Sequence, residues 1–229
     1  MAASIIISYD GTDNDRDALS LGRLFAGLGA SAALAYVRHA VDPDPAREAE
    51  LQSEAQALLD EGARALNANG DIRRHVVISG ATGAGLMSLA EREFTDVVVF
   101  GSEYRTAPGH VQPGTSASHL LNGGPVAVAI APAGMHDDPP AKIATIGEIS
   151  EPGDLSARET AHSLAEAFGA AMAPQADYTV DLLVVGSQAL AVPGRVAISA
   201  AAQYVVENAR CPVLVVPRGG RVSFSANGA

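Results

Sequence analysis

Two pairs of matching runs constrain this chain more than anything else in it. The run Asp96-Val-Val-Val-Phe-Gly-Ser102 returns as Asp181-Leu-Leu-Val-Val-Gly-Ser187, and Pro125-Val-Ala-Val-Ala-Ile-Ala-Pro132 returns as Pro212-Val-Leu-Val-Val-Pro217. Repeats at domain spacing call for two lobes of one design. Each run is continuously apolar, which suits a strand buried on both faces.

The first half alternates strand and helix. Strands are expected at Ser4 to Ser8, Ala32 to Val37, Val76 to Ser79, Asp96 to Phe100 and Pro125 to Ile130. Ala18, Leu21, Phe25 and Leu28 mark the buried face of the first helix. Asp44 caps the second, with Pro45 at its first position, where the missing N–H costs nothing. Leu51, Ala55, Leu58, Gly62 and Leu66 form its stripe, and Asn69-Gly70 stops it. A third helix runs to Phe94, and a short fourth starts at Gly114-Thr115-Ser116. Alternation of this kind implies a parallel sheet covered on both faces.

The second half is shorter. Strands are expected at Ile143 to Ile146, Asp181 to Gly186 and Pro212 to Val216, with helices over Ala157 to Phe168 and Val196 to Ala209. Too few residues separate its first helix from Asp181 for a further strand–helix–strand, so this small sheet should lean on the first. The expected division is 1–134, a charged, proline-containing linker over 135–141, a truncated second unit over 142–218, and a frayed tail over 219–229. The last strands, apolar on both faces, are expected to pair with each other within the chain.

Composition narrows the function. A net charge of −11 with a single lysine, Lys142, lacks the basic face of a sequence-independent nucleic-acid binder. A lone Cys211 excludes an intrachain disulfide and suits a reducing compartment. The N-terminus has no basic region ahead of its apolar run, and no apolar stretch reaches the ~20 residues of a membrane span. A cytoplasmic protein without membrane partners is the expectation.

The chemistry concentrates between Phe100 and Ala131, where a strand runs into a Gly/Pro-rich loop and then a helix N-terminus. Free backbone N–H groups and the helix dipole suit an anion there, and the hydroxyls of Thr115 and Ser116 add donors. Simple capping by Thr115 and turning by the glycines account for the same residues. Ser79 to Gly85 resembles a dinucleotide-binding glycine turn, but it follows the third strand and reads as a tight turn into a helix. The histidines are scattered, so no metal site is expected. Asp13, Asp15 and Asp17 read as a solvated helix N-terminus.

Gly101, Tyr104, Gly114 and Thr115 sit at the spacing Gly-x2-Gly-x9-Gly-(Ser/Thr), with Tyr104 in the second glycine's place. Asp10-Gly11-Thr12 follows the first strand, with Asp15 where a second Ser would stand. On these motifs the chain resembles the universal stress protein family as a tandem pair, over residues 4–132 and in part over 142–217. The resemblance implies an α/β fold of the Rossmann-like, adenine nucleotide alpha hydrolase-like kind: a five-stranded parallel sheet plus a shortened second copy. It implies ATP or AMP in the first unit, with Asp10 on the ribose or a bound magnesium ion and the Val37 backbone on the adenine edge. Gly101, Gly114, Thr115 and Ser116 would cradle phosphates. As a turn or capping residue, Asp10 has an equally simple account. Tyr104 departs from the pattern because a side chain there takes positive φ at a cost. In the second half Glu148 stands for Asp10, and Gly186, Ala189, Ser199 and Ala200 hold the four places; no nucleotide is expected there. Gly194-Arg195 is its lone basic feature.

The function expected is a non-catalytic, stress-linked regulator with an unnamed protein partner. Pairing through the last strand could be met within the chain or in a homodimer. A nucleotide-free partner protein and a slow ATP hydrolase are the alternatives.

Overall fold

The computed structural model describes residues 3–66, 72–174 and 179–224. The first half is β1 (Ser4–Ser8), α1 (Asp13–Gly27), β2 (Ser31–Arg38), α2 (Pro45–Leu66), β3 (Arg73–Ile78), α3 (Thr82–Glu93), β4 (Val97–Gly101), α4 (Thr115–Leu121) and β5 (Ala127–Ala131). The second is β6 (Thr145–Ile149), α5 (Ser156–Phe168), β7 (Ala171–Met172), β8 (Leu182–Gly186), α6 (Ala200–Asn208) and β9 (Val213–Val216).

Among the described residues these strands form one nine-stranded sheet in the order β3-β2-β1-β4-β5-β9-β8-β6-β7. The first half has the doubly wound order, so the carboxyl ends of neighbouring β1 and β4 mark its switch point. The second half keeps that order without the strand and two helices that α2, β3 and α3 supply in the first. It has one strand more than expected, the two-residue β7, paired to β6 through Thr145↔Ala171 and Ile146↔Met172.

Every pairing is parallel except the seam. There β5 and β9 run antiparallel, with Val128↔Val215, Ala129↔Leu214 and Ile130↔Val213 in register. Both strands are buried throughout. Val128, Ile130, Val213 and Val215 enter the core on one face, and Ala129, Leu214 and Val216 the core on the other. Ala129 lies directly opposite Leu214, so a small and a large side chain share that face.

Local chemistry explains most boundaries. Asp44 Oδ1 accepts the Ala46 N–H at 3.0 Å, so Asp44 caps α2 with Pro45 first in the helix. The buried stripe of α2 is Ala55, Leu59, Gly62, Ala63 and Leu66; Leu58 sits to one side of it, beneath Gly11. The Asn69-Gly70 stop lies outside the described residues. The helix expected from Val196 starts at Ala200, because Ser199 Oγ accepts the Ala202 N–H at 3.2 Å and caps it there.

Two connecting stretches are fastened where freedom was expected. In the stretch read as a linker, Met135 is buried in the core and the His136 N–H donates to Asp17 at 2.8 Å. In the tail, Val222 and Phe224 are buried, which corrects the frayed reading for 219–224. Their N–H groups donate to Thr160 Oγ1 and Ser163 Oγ on α5, at 3.0 and 2.8 Å.

Candidate functional site

The turn after β1 presents the first candidate residue. Gly11 has φ +85, a conformation that glycine adopts freely, and Asp10 Oδ1 accepts the Thr12 N–H at 3.1 Å. The exposed Asp10 carboxyl therefore sits on a closed turn at the carboxyl edge of the sheet. Below it lies Asp15, whose Oδ2 accepts the N–H groups of Asp10 and Gly11.

The acidic run is not a solvated helix start. Asp13 is exposed, but Asp15 and Asp17 are 6% and 2% exposed. Asp17 is satisfied by three donors: the N–H groups of Gly134 and His136, at 2.9 and 2.8 Å, and His136 Nδ1 at 2.7 Å. Burial, with Asp10 alongside, pushes the Asp15 carboxyl up to about 8.

Val37 is the next-to-last residue of β2, beside Arg38, which is buried because Glu48 grips it with two hydrogen bonds of 2.8 and 2.6 Å. The Arg38 guanidinium and the Asp42 N–H hold the Glu48 carboxyl down at about 2. This bidentate pair fixes the start of α2 over the end of β2. Asp10, Thr12, Tyr36, Val37 and Arg38 line a cavity of about 450 Å³ between β1, β2 and α2.

Gly114 is the residue before α4, with φ −72, and Thr115 is its first helical residue. Both line a second cavity of about 740 Å³, together with Arg105, His110 and, from the second half, Glu207. A third cavity of about 970 Å³ lies between these two, sharing Asp10 and Thr12 with the first and Glu103 and Thr106 with the second. The three form a run along the carboxyl edge of the first half. Ser116 lines none of them.

Gly101 lies elsewhere. A Cβ there would collide with the Asn14 carbonyl oxygen, so this glycine lets the first turn of α1 lie against the end of β4. Tyr104 sits at the second glycine's place without strain: among the described residues, Phe94 is the one non-glycine with positive φ. Its ring is 70% exposed and carries the Arg105 guanidinium at 4.9 Å.

The residue that shapes the loop after β4 is Ser102, fully buried. Its hydroxyl donates to the Ala131 carbonyl at 2.7 Å and accepts the Gln112 N–H at 3.2 Å. The second half repeats this clamp: Ser187 donates to the Val216 carbonyl at 2.7 Å and accepts the Ala197 N–H at 3.1 Å. Each loop also crosses the seam. Val111 N–H donates to the Ala209 carbonyl at 3.2 Å, and Val196 N–H to the Gly124 carbonyl at 2.8 Å. The short second half thus holds the first half's loop in place.

At the corresponding edge of the second half the groups are engaged. Glu148 pairs with Arg158 at 2.9 Å, and Arg195 pairs with Glu91 of α3 at 3.4 Å. Among the described residues no cluster of three His, Cys, Asp or Glu side chains could hold a metal ion, and no helix is long and apolar enough to cross a membrane.

The fold has close counterparts. A universal stress protein from Archaeoglobus fulgidus DSM 4304 is similar to this chain with a TM-score of 0.60 and 15% identity, over 95% of this chain and 98% of that one. A putative universal stress protein from Pseudomonas aeruginosa UCBPP-PA14 is similar with a TM-score of 0.61 and 13% identity, over 95% and 94%. At these identities the likeness is one of fold. No curated protein matches the chain by sequence. The model of the universal stress protein family matches residues 1–132 and again 156–217, one segment in each half of the sheet. With most of its length matched, this chain belongs to the universal stress protein family.

Proposed function

We propose that this protein is a stress-linked regulator that binds one adenine nucleotide in its first half and acts by binding, not by turnover. The observation that carries the reading is the meeting of Asp10 and Val37, from the ends of β1 and β2, in one cavity of about 450 Å³ beside the switch point. A cavity of that size is in the range that holds small ligands, and open α/β sheets bind theirs at this edge. The adenosine moiety fits there, with the phosphates directed along the run of cavities toward Gly114 and Thr115.

The charge along that run favours AMP. Asp10, Asp13, Asp17, Glu103 and Asp137 line the middle cavity, against Arg16 and the His136 that is paired with Asp17. A triphosphate would meet like charge there unless magnesium came with it. Such an ion would be held mainly by phosphate oxygens, with Asp10 as a single protein carboxylate. The same acidic wall, together with the covered Gly101, supports the second reading, a nucleotide-free protein that works through a partner.

Calorimetry with AMP and ATP tests the choice. One AMP per chain is expected, with Asp10→Ala weakening it about tenfold through a lost charged hydrogen bond. Gly114→Val is a clean second probe, because a Cβ at Gly114 meets nothing within 4 Å and its φ is ordinary. Its branches would crowd the phosphate end, so ATP should lose more than AMP. Two nucleotides per chain, or affinity unmoved by both changes, would overturn the reading. Release of ADP on incubation with ATP would favour a hydrolase instead.

A further inference from the structure

The proposed site depends on the turn that carries Asp10, and that turn is built on Asp15. Asp15 is 6% exposed in the first turn of α1, and a single oxygen, Oδ2, accepts the N–H groups of both Asp10 and Gly11. Thr12 N–H closes the outer side of the same turn on Asp10 Oδ1. The backbone that aims the Asp10 carboxyl at the cavity is therefore fastened from inside by another carboxyl group.

We propose that Asp15 is the positioning residue of this site, holding Asp10 toward the ligand by fastening the backbone that carries it. The inference rests on the nucleotide reading above, in which Asp10 is a ligand contact. With the N–H groups of two consecutive residues held on one oxygen, the Asp10–Gly11 backbone keeps a single orientation at the edge of the cavity that Asp10 and Val37 line. Without that oxygen both N–H groups lose their acceptor, and the turn that carries Asp10 is free to move.

The test is adenosine binding at pH 7. Wild-type protein is compared with Asp15→Asn and Asp15→Ala, with circular dichroism confirming that each is folded. Asp15→Ala should bind about tenfold more weakly. Asp15→Asn should restore what alanine loses, since its amide oxygen still accepts the two N–H groups. Alanine binding like wild type, or asparagine binding as weakly as alanine, would overturn the assignment. If wild-type protein binds neither adenosine nor AMP, the nucleotide reading falls and this one with it. Wild-type binding with unmoved variants sinks the positioning role alone.

Discussion

The ring of Phe224 lies 5.1 Å from the ring of Phe25 in α1, the two planes inclined by 32°. One ring belongs to the end of the second half and the other to the first helix of the chain. Because Val222 and Phe224 are also hydrogen-bonded to α5, the last described residues form a strap across both halves on one face of the sheet. The strap thus joins the halves in addition to the β5–β9 ladder and the loop contacts across the seam.

Phe224→Ala should therefore lower the stability of the whole protein by about 3 kcal/mol, as for an aromatic lost from a core. Chemical denaturation followed by circular dichroism measures it. A change confined to a few tenths of a kcal/mol would mean that the strap adds little.

At the ladder, Val215 is fully buried opposite Val128. Val215→Asp places an unpaired carboxylate there, at a cost of several kcal/mol. Since both halves share this core, they should melt together at a lower temperature in one transition. Loss of the second half alone, with the first melting as before, would contradict a shared core.

Phe94 ends α3 in the left-handed conformation at φ 51, and its side chain is 88% exposed. The ring gains little from packing and the backbone is strained, at a cost of about 1 kcal/mol relative to glycine. Phe94→Gly should raise the thermal midpoint by a few degrees in a scanning calorimeter. A lower midpoint would show that the ring packs better than its exposure implies.

Much of this architecture is legible in the sequence because it depends on local pattern. The apolar runs at Val97 and Leu182 are strands, Asp44-Pro45 starts a helix, and the paired final strands meet. The Gly-Ser that follows each repeated strand is a visible duplication too, although the buried clamp made by Ser102 and Ser187 shows up only when their partners 29 residues on are in place. Contacts that only the folded backbone makes are not legible. Asp15 and Asp17 look like surface acids until the donors at Asp10, Gly11, Gly134 and His136 surround them. Gly101 matches a phosphate motif by spacing, yet the structure gives it a packing reason, the passage of Asn14. The tail reads as frayed because Val222 and Phe224 stand among Gly, Arg and Ser residues, and nothing local reveals the core and the α5 hydroxyls that receive them.

Asp15 also predicts a pH dependence of stability. Its folded value, about 8, is raised from an ordinary 3.8 by burial, first, and by Asp10. Folding then takes up a proton between these values, so stability is greatest below pH 4 in this respect and declines as pH rises toward 8. The slope from this one group is at most about 1.4 kcal/mol per pH unit. Urea denaturation at pH 5, 6, 7 and 8 should show Asp15→Asn gaining on wild type at each step. A constant difference between the two would place Asp15 in the ionised state throughout.

The central claim, one adenine site in the first half only, is tested most directly by photo-crosslinking with 8-azido-AMP followed by peptide mass spectrometry. The account predicts label on the segment around Val37 to Ala40, at one per chain, and its loss when unlabelled AMP is added. Label in residues 142–217, or label that unlabelled AMP does not displace, would contradict it.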